Sequence, residues 1–200
     1  MPAAEQLTDT RSIARKNLFP EERERGIYAV VEGGFAAGWF GWGQAAPPSW
    51  LVVPLGVGSI LSVLVAVAGI VVTARSHARR TAVNDRTVRR RFRIIVLVEF
   101  ALAGIGAAVL AAAGRATWIP AWVCLVVGVH FFPLSRALGN RSLARAGALL
   151  TGIAAAALVV GMATRVAPST VTGAGAGLCF LAAGLATLVV GERHAGRVEG

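Results

Sequence analysis

The sequence predicts an all-α protein, a polytopic bundle of six transmembrane helices. Apolar residues make up 56% of the 200 residues and charged residues only 15%, with a mean hydropathy of +0.66. Soluble domains usually contain about a quarter charged residues. The apolar residues are gathered in six long runs, and a run of about 20 residues is needed to cross the hydrocarbon core of a bilayer. Basic residues and tryptophans mark opposite ends of these runs, as they do in membrane proteins.

The six predicted spans fill most of the chain. A polar segment, 1–25, comes first, and Pro20 and Glu21 indicate that a helix starts near its end, because proline and acids suit a first helical turn. A polar tail, 192–200, follows the last span. Little is left for a soluble domain, so function is expected in the membrane, in short loops or through a partner. The predicted spans are 26–44, 50–74, 94–113, 118–134, 146–164 and 169–191.

The distribution of lysine and arginine predicts the orientation of the spans. If the chain crosses six times, one side receives 18 of the 20 basic residues and the other receives only Arg115 and Arg165. Cytoplasmic loops are the basic ones in membrane proteins. Both termini are therefore predicted in the cytoplasm, and the protein is predicted in the cell membrane.

The tryptophans provide a second test of this topology. Indole rings favour the headgroup level of a bilayer. All five tryptophans fall at span ends that the arginine count assigns to the outside: Trp39, Trp42, Trp50, Trp118 and Trp122.

The net charge of +10 is explained by topology rather than by nucleic acid, because the basic residues lie beside apolar spans and no stacking aromatics accompany them. The expected partner is the bilayer itself, with its anionic headgroups. Nineteen of the basic residues are arginine, which together with abundant Ala and Gly indicates a GC-rich, bacterial genome. Arg86 to Arg93 is predicted to extend span 3 as an interfacial helix capped by Asn84 or Asp85. The residues expected to contact headgroups are Arg79, Arg80, Arg89, Arg90 and Arg91.

Three ionisable residues within the spans form the candidate site: Glu32, Glu99 and His130. Each lies six or seven residues from a predicted cytoplasmic arginine, about 9–10 Å along a helix. They therefore share one depth, and they can meet if spans 1, 3 and 4 are neighbours. Such residues are costly in a membrane and usually face the bundle interior. They could form a proton or cation site, anchor a substrate headgroup, or only hold helices together. No local ligand spacing predicts a metal, and no cofactor is predicted.

Pro133 distinguishes span 4. Proline has no N–H, so the carbonyl of Val129 loses its helical donor, and the helix is predicted to kink or end beside His130. A broken helix can line a polar cavity, although the proline could equally terminate the span at the interface. The segment 129–136, VHFFPLSR, resembles an H-[FL]-x-P-L-[AS]-[RK] segment of small uncharacterised bacterial multipass membrane proteins. The resemblance implies a membrane bundle and no particular activity.

Two glycine pairs have the spacing that allows close helix approach, Gly34-x-x-x-Gly38 and Gly173-x-x-x-Gly177. Packing inside the chain is expected for both, and dimerisation is the alternative. Gly139-Asn140 predicts a turn in which Asn140 caps span 5.

Three functions remain open at this point. The sequence favours a non-catalytic membrane protein that serves in assembly, interaction or stress response, and it does not assign an enzyme. One alternative is a small proton- or cation-linked transporter that uses the candidate site. The other is an intramembrane lipid-modifying enzyme. The motifs of P-loop proteins, zinc proteases and α/β-hydrolases do not occur in the sequence.

Overall fold

The computed structural model describes residues 22–76 and 86–195, and this part of the chain is all-α, as predicted. It contains six helices and a single 3₁₀ turn, Ala116–Trp118, which leads into the fourth helix. The helices are α1 (Glu22–Gly43), α2 (Ser49–Arg75), α3 (Arg86–Ala112), α4 (Ile119–Leu138), α5 (Arg141–Ala163) and α6 (Pro168–Ala195).

Five of these helices, α2 to α6, are long and apolar enough to cross a membrane. The protein is therefore a multi-pass membrane protein by helix length and composition. The first helix, α1, has 22 residues but is less apolar, because it contains Glu32, six glycines and a charged first turn. The sixth span stays a prediction.

The helices coincide with the predicted spans, with differences at their ends. Helix α3 begins at Arg86, which confirms the extension of span 3. Helix α4 continues through Pro133 to Leu138, so it does not end at this proline. Several predictions lie outside the described residues: the helix start near Pro20 and Glu21, the caps Asn84 and Asp85, and the headgroup residues Arg79 and Arg80.

The turn between α4 and α5 forms as predicted from Gly139-Asn140. Gly139 has φ +64°, a left-handed conformation that glycine adopts without steric cost, and its amide donates to the carbonyl of Ser135. The Oδ1 atom of Asn140 accepts a hydrogen bond of 2.9 Å from the amide of Ser142, which caps α5.

Successive helices run antiparallel and pack in two groups. Helix α1 packs against α2 and α6, α4 packs against α5 and α6, and α3 packs against α4 and the short turn before it. One end of the bundle carries Arg75, Arg93 and Arg136 and is named the basic end here. The tryptophans lie toward the opposite end, where Trp39 is buried against residues of α4, α5 and α6. Its position therefore has a packing explanation as well as an interfacial one.

Glycines decide how closely α1 approaches its neighbours. A β-carbon on Gly33 would lie 2.7 Å from the backbone of Ser62 and of Ala66 in α2. The second predicted glycine pair, Gly173 and Gly177, packs against α1 and is confirmed as an internal contact.

The first glycine pair behaves differently. Gly34 and Gly38 are exposed, and within the described part of the chain no atom lies within 4 Å of a β-carbon built on either. The prediction that this pair packs inside the chain is therefore wrong. It failed because the glycine spacing marks a helix face without showing which way that face points.

Candidate intramembrane polar site

Glu99 of α3 and His130 of α4 face each other across the contact between the two helices. The Oε2 atom of Glu99 lies 3.3 Å from Nε2 of His130, and the two side chains are 15% and 12% exposed. The antiparallel run of α3 and α4 brings them together, because each lies six residues from an arginine at the basic end. The sequence-predicted meeting of these two residues therefore occurs.

The second nitrogen of the His130 ring also faces an oxygen. Its Nδ1 atom lies 2.7 Å from the carbonyl oxygen of Val127. A neutral imidazole has one N–H and can donate to only one of these two acceptors. The geometry is satisfied when the pair holds one further proton, either as imidazolium and carboxylate or as neutral imidazole and carboxylic acid. In both states the pair has no net charge, which lowers the cost of placing it in a membrane.

A second polar contact joins α3 and α4, and its α4 residue, Trp122, lies about two turns before His130. The indole Nε1–H of Trp122 donates to the carbonyl of Leu102 over 3.0 Å. Gly106 leaves the space that the indole occupies, since a β-carbon there would overlap the ring. At least two side chains, His130 and Trp122, therefore bridge α4 to α3.

Glu32 does not join this pair. It lies on α1, where its Oε2 atom accepts a hydrogen bond of 2.9 Å from the hydroxyl of Thr187 on α6. A cluster of Glu32, Glu99 and His130 would require α1 to lie beside α3. Helix α1 packs against α2 and α6 instead. In the described part of the chain, no three His, Cys, Asp or Glu side chains converge in a way that could hold a metal.

Thr187 is a polar partner that the sequence reasoning missed. It lies six residues before Arg193, the same spacing that placed Glu99 and His130 at one depth. A hydroxyl in an apolar run has no strong hydropathy signal, so the sequence does not single it out as it does an ionisable side chain. Counting residues from the nearest arginine, extended to hydroxyl side chains, would have identified Thr187.

A groove of about 360 Å³ lies between α3 and α4, toward the basic end from the Glu99–His130 pair. Its lining is mainly apolar and contains one guanidinium, from Arg136, a residue for which the sequence predicted no binding role. The residues that line it are Ile94, Ile95, Pro133, Arg136 and Ala137.

The predicted headgroup residues on α3 are only partly described. Arg90 is exposed near the start of the helix, and Arg89 and Arg91 lie on either side of it in the same helix. Their contact with lipid stays a prediction, as does a kink at Pro133.

The arrangement can hold a proton between Glu99 and His130 and can tie α1 to α6, but it places the two glutamates in separate contacts. The resemblance of segment 129–136 to uncharacterised bacterial membrane proteins stays a prediction. No family model, curated protein or solved structure matches the chain.

Proposed function

We propose that this chain is a non-catalytic protein of the bacterial cell membrane that crosses the bilayer six times, keeps both termini in the cytoplasm, and serves in assembly with another membrane protein. The observation that carries the proposal is the pairing of its intramembrane polar groups. Glu32 binds Thr187, and Glu99 binds His130, so each carboxyl group contacts a neighbouring helix. Such hydrogen bonds hold helices together in membranes.

The position of α1 supports six crossings. It is antiparallel to α2 and α6 and packs against both, with Ala29 and Ala36 fully buried and Phe35 on the exposed face. The face that is shielded from lipid by these neighbours does not need an apolar surface. The even number of crossings and the basic residues at one end support cytoplasmic termini.

Cysteine labelling tests the topology. In a variant without Cys124 and Cys179, a cysteine at Ser76 is expected to react with a membrane-impermeant maleimide only after the cells are opened. A cysteine at Ala45, in the turn between α1 and α2, is expected to react in intact cells. Labelling of position 76 from outside would contradict the proposed orientation.

Helix α3 supports a role in assembly. It contacts α4 on one side, while large apolar side chains such as Leu97 and Phe100 are each 70% exposed. The other apolar helices have buried residues in their central turns, whereas the described residues of α3 include none. A transmembrane helix of a partner has the apolar chemistry to cover this face.

Photo-crosslinking in cells tests the assembly role. A benzophenone side chain at Leu97 of α3 is expected to give a protein adduct of fixed mass. The matched control is Val53 of α2, 71% exposed, where lipid adducts are expected. Lipid adducts alone at both positions would count against assembly through α3.

A second candidate function, proton- or cation-linked transport, is favoured by one observation. The Glu99–His130 pair has the geometry to share a proton and lies beside the groove that contains Arg136. In proteoliposomes, transport would be lost in Glu99→Gln and retained in Glu32→Gln, because only Glu99 belongs to the pair. That result would replace the assembly proposal, whereas equal activity of both variants would leave it standing.

A further inference from the structure

The groove between α3 and α4 combines an apolar lining with a cationic group at one end. Ile94 and Ile95 form its α3 side, and Pro133 and Ala137 form its α4 side together with Arg136. Ile94, Pro133 and Arg136 are exposed, so the groove opens on the outer surface of the bundle. An acyl chain has the apolar character that this lining matches.

The register of the two helices places a second arginine at the level of the first. Glu99 and His130 pair directly, and the helices are antiparallel. Arg93 lies six residues before Glu99, and Arg136 lies six residues after His130. Each is therefore about 9 Å along its helix from the pair, so both arginines stand at the same height. Arg136 lines the groove, and Arg93 directly precedes the lining residue Ile94.

Among the described residues, the positive charge at this end of the groove has no acidic partner. Glu99 is paired with His130, and in the described part of the chain no carboxylate lies within salt-bridge distance of Arg93 or Arg136. Arg90, one turn before Arg93, is exposed and adds further positive charge. Guanidinium groups bind phosphate through two parallel hydrogen bonds.

We propose that this groove binds one phospholipid with an anionic headgroup. The phosphate contacts Arg136 and Arg93, and an acyl chain lies along Ile95, Pro133 and Ala137. Arginines at the end of an apolar span lie at the headgroup level of a bilayer, where such a lipid presents its phosphate. The proposal goes beyond the assembly function and requires only that the helices are in a membrane, so its failure would leave assembly untouched.

Native mass spectrometry of the full-length protein in micelles tests the proposal, with phosphatidylglycerol and phosphatidylcholine of identical acyl chains as probes. The wild type is expected to retain one phosphatidylglycerol in preference to phosphatidylcholine. Arg136→Gln is expected to lower that retention about fivefold, the contribution of one basic residue near an anionic lipid. The matched control is Arg141→Gln, which removes an exposed charge at the same end of the bundle outside the groove.

A second variant tests the apolar part without changing charge. Ala137→Phe fills the groove beside Arg136 and is expected to weaken retention of phosphatidylglycerol while the protein keeps its unfolding transition. Glycerol 3-phosphate, which has the phosphate but no acyl chain, is expected not to displace the lipid. Equal retention of the two lipids by the wild type, or an equal loss in Arg136→Gln and Arg141→Gln, would overturn the proposal. Displacement by glycerol 3-phosphate would overturn the acyl-chain contact.

Discussion

Helices α1 and α3 form a contrast within one bundle. Helix α1 is too weakly apolar to count among the candidate spans, yet it has seven buried residues between Gly26 and Gly43. Helix α3 is strongly apolar, yet no residue of its span 93–112 is buried. In water this relation would be reversed, because burial there is driven by apolar surface. In a bilayer the apolar surface can face lipid, and the less apolar helix is sheltered by protein.

The contacts of the two helices differ in kind. Helix α1 meets α2 and α6 through glycines that bring backbone against backbone, as at Gly33 and Gly173. Helix α3 meets α4 through side chains, the Glu99–His130 pair and the Trp122 indole. A backbone contact cannot yield to an added methyl group, whereas a side chain can rotate. The α1 contacts are therefore expected to be the more sensitive to substitution.

The largest effect is expected from Gly33→Ala. The added β-carbon would lie 2.7 Å from the backbone of α2, so the free energy of unfolding should fall by about 2–3 kcal/mol. The adjacent Gly34→Ala is the matched control, since its β-carbon meets no neighbour. It should leave the free energy unchanged or raise it by up to about 1 kcal/mol, because alanine favours helix. Equilibrium unfolding in mixed micelles measures the free energy of both variants. Equal losses in Gly33→Ala and Gly34→Ala would show that the contact of Gly33 with the α2 backbone is not what makes α1 sensitive.

Gly106→Ala makes the same chemical change in the α3 contact. The new β-carbon would overlap the indole of Trp122, which can swing away at the cost of its hydrogen bond to Leu102. A loss of about 1 kcal/mol in unfolding free energy is expected, which is the cost of a hydrogen bond and some packing. The change in Trp122 environment should appear in tryptophan fluorescence. A loss larger than that of Gly33→Ala would contradict the distinction between backbone and side-chain contacts.

A double-mutant cycle separates the two polar contacts. Glu99→Ala and His130→Ala are expected to couple by about 0.6 kcal/mol, the average measured for such pairs in a membrane protein, and by no more than about 1.7 kcal/mol, the largest value. Glu32→Ala and His130→Ala are expected to be additive, because Glu32 contacts Thr187 on a different helix. Unfolding of the single and double variants provides the energies. A coupling energy between Glu32 and His130 would show that these residues interact, and it would support the three-residue cluster predicted from the sequence.

The smallest effect is expected from Thr187→Val, which removes the hydroxyl that donates to Glu32 and keeps the shape of the side chain. The free energy of unfolding should fall by about 0.6 kcal/mol, the average for hydrogen bonds between membrane helices. Thr187→Ser keeps the hydroxyl and should therefore retain most of the wild-type free energy of unfolding. A fall equal to that of Gly33→Ala would show that polar ties, rather than glycine contacts, stabilise α1.

Much of the fold could be predicted because its signals are local. Apolar runs of span length located all six helices, and Gly139-Asn140 located a turn and its cap, since each depends on neighbouring residues. The candidate site was predicted in part. Counting residues from the nearest arginine placed Glu99 and His130 at one depth, which brought them together once α3 and α4 packed side by side.

The packing partners of each helix could not be predicted in the same way. Depth is a coordinate along the membrane normal, and residue spacing determines it directly. Which helix stands beside which is decided within the plane of the membrane by the fit of glycines and side chains. The sequence by itself determined that the chain forms apolar helices with their polar groups at a common depth. Only the tertiary structure decided that Glu32 faces Thr187 and that Gly34 faces outward. Lipid and protein are similarly apolar surroundings for a helix, so the packing fit between helix surfaces determines which helices become neighbours.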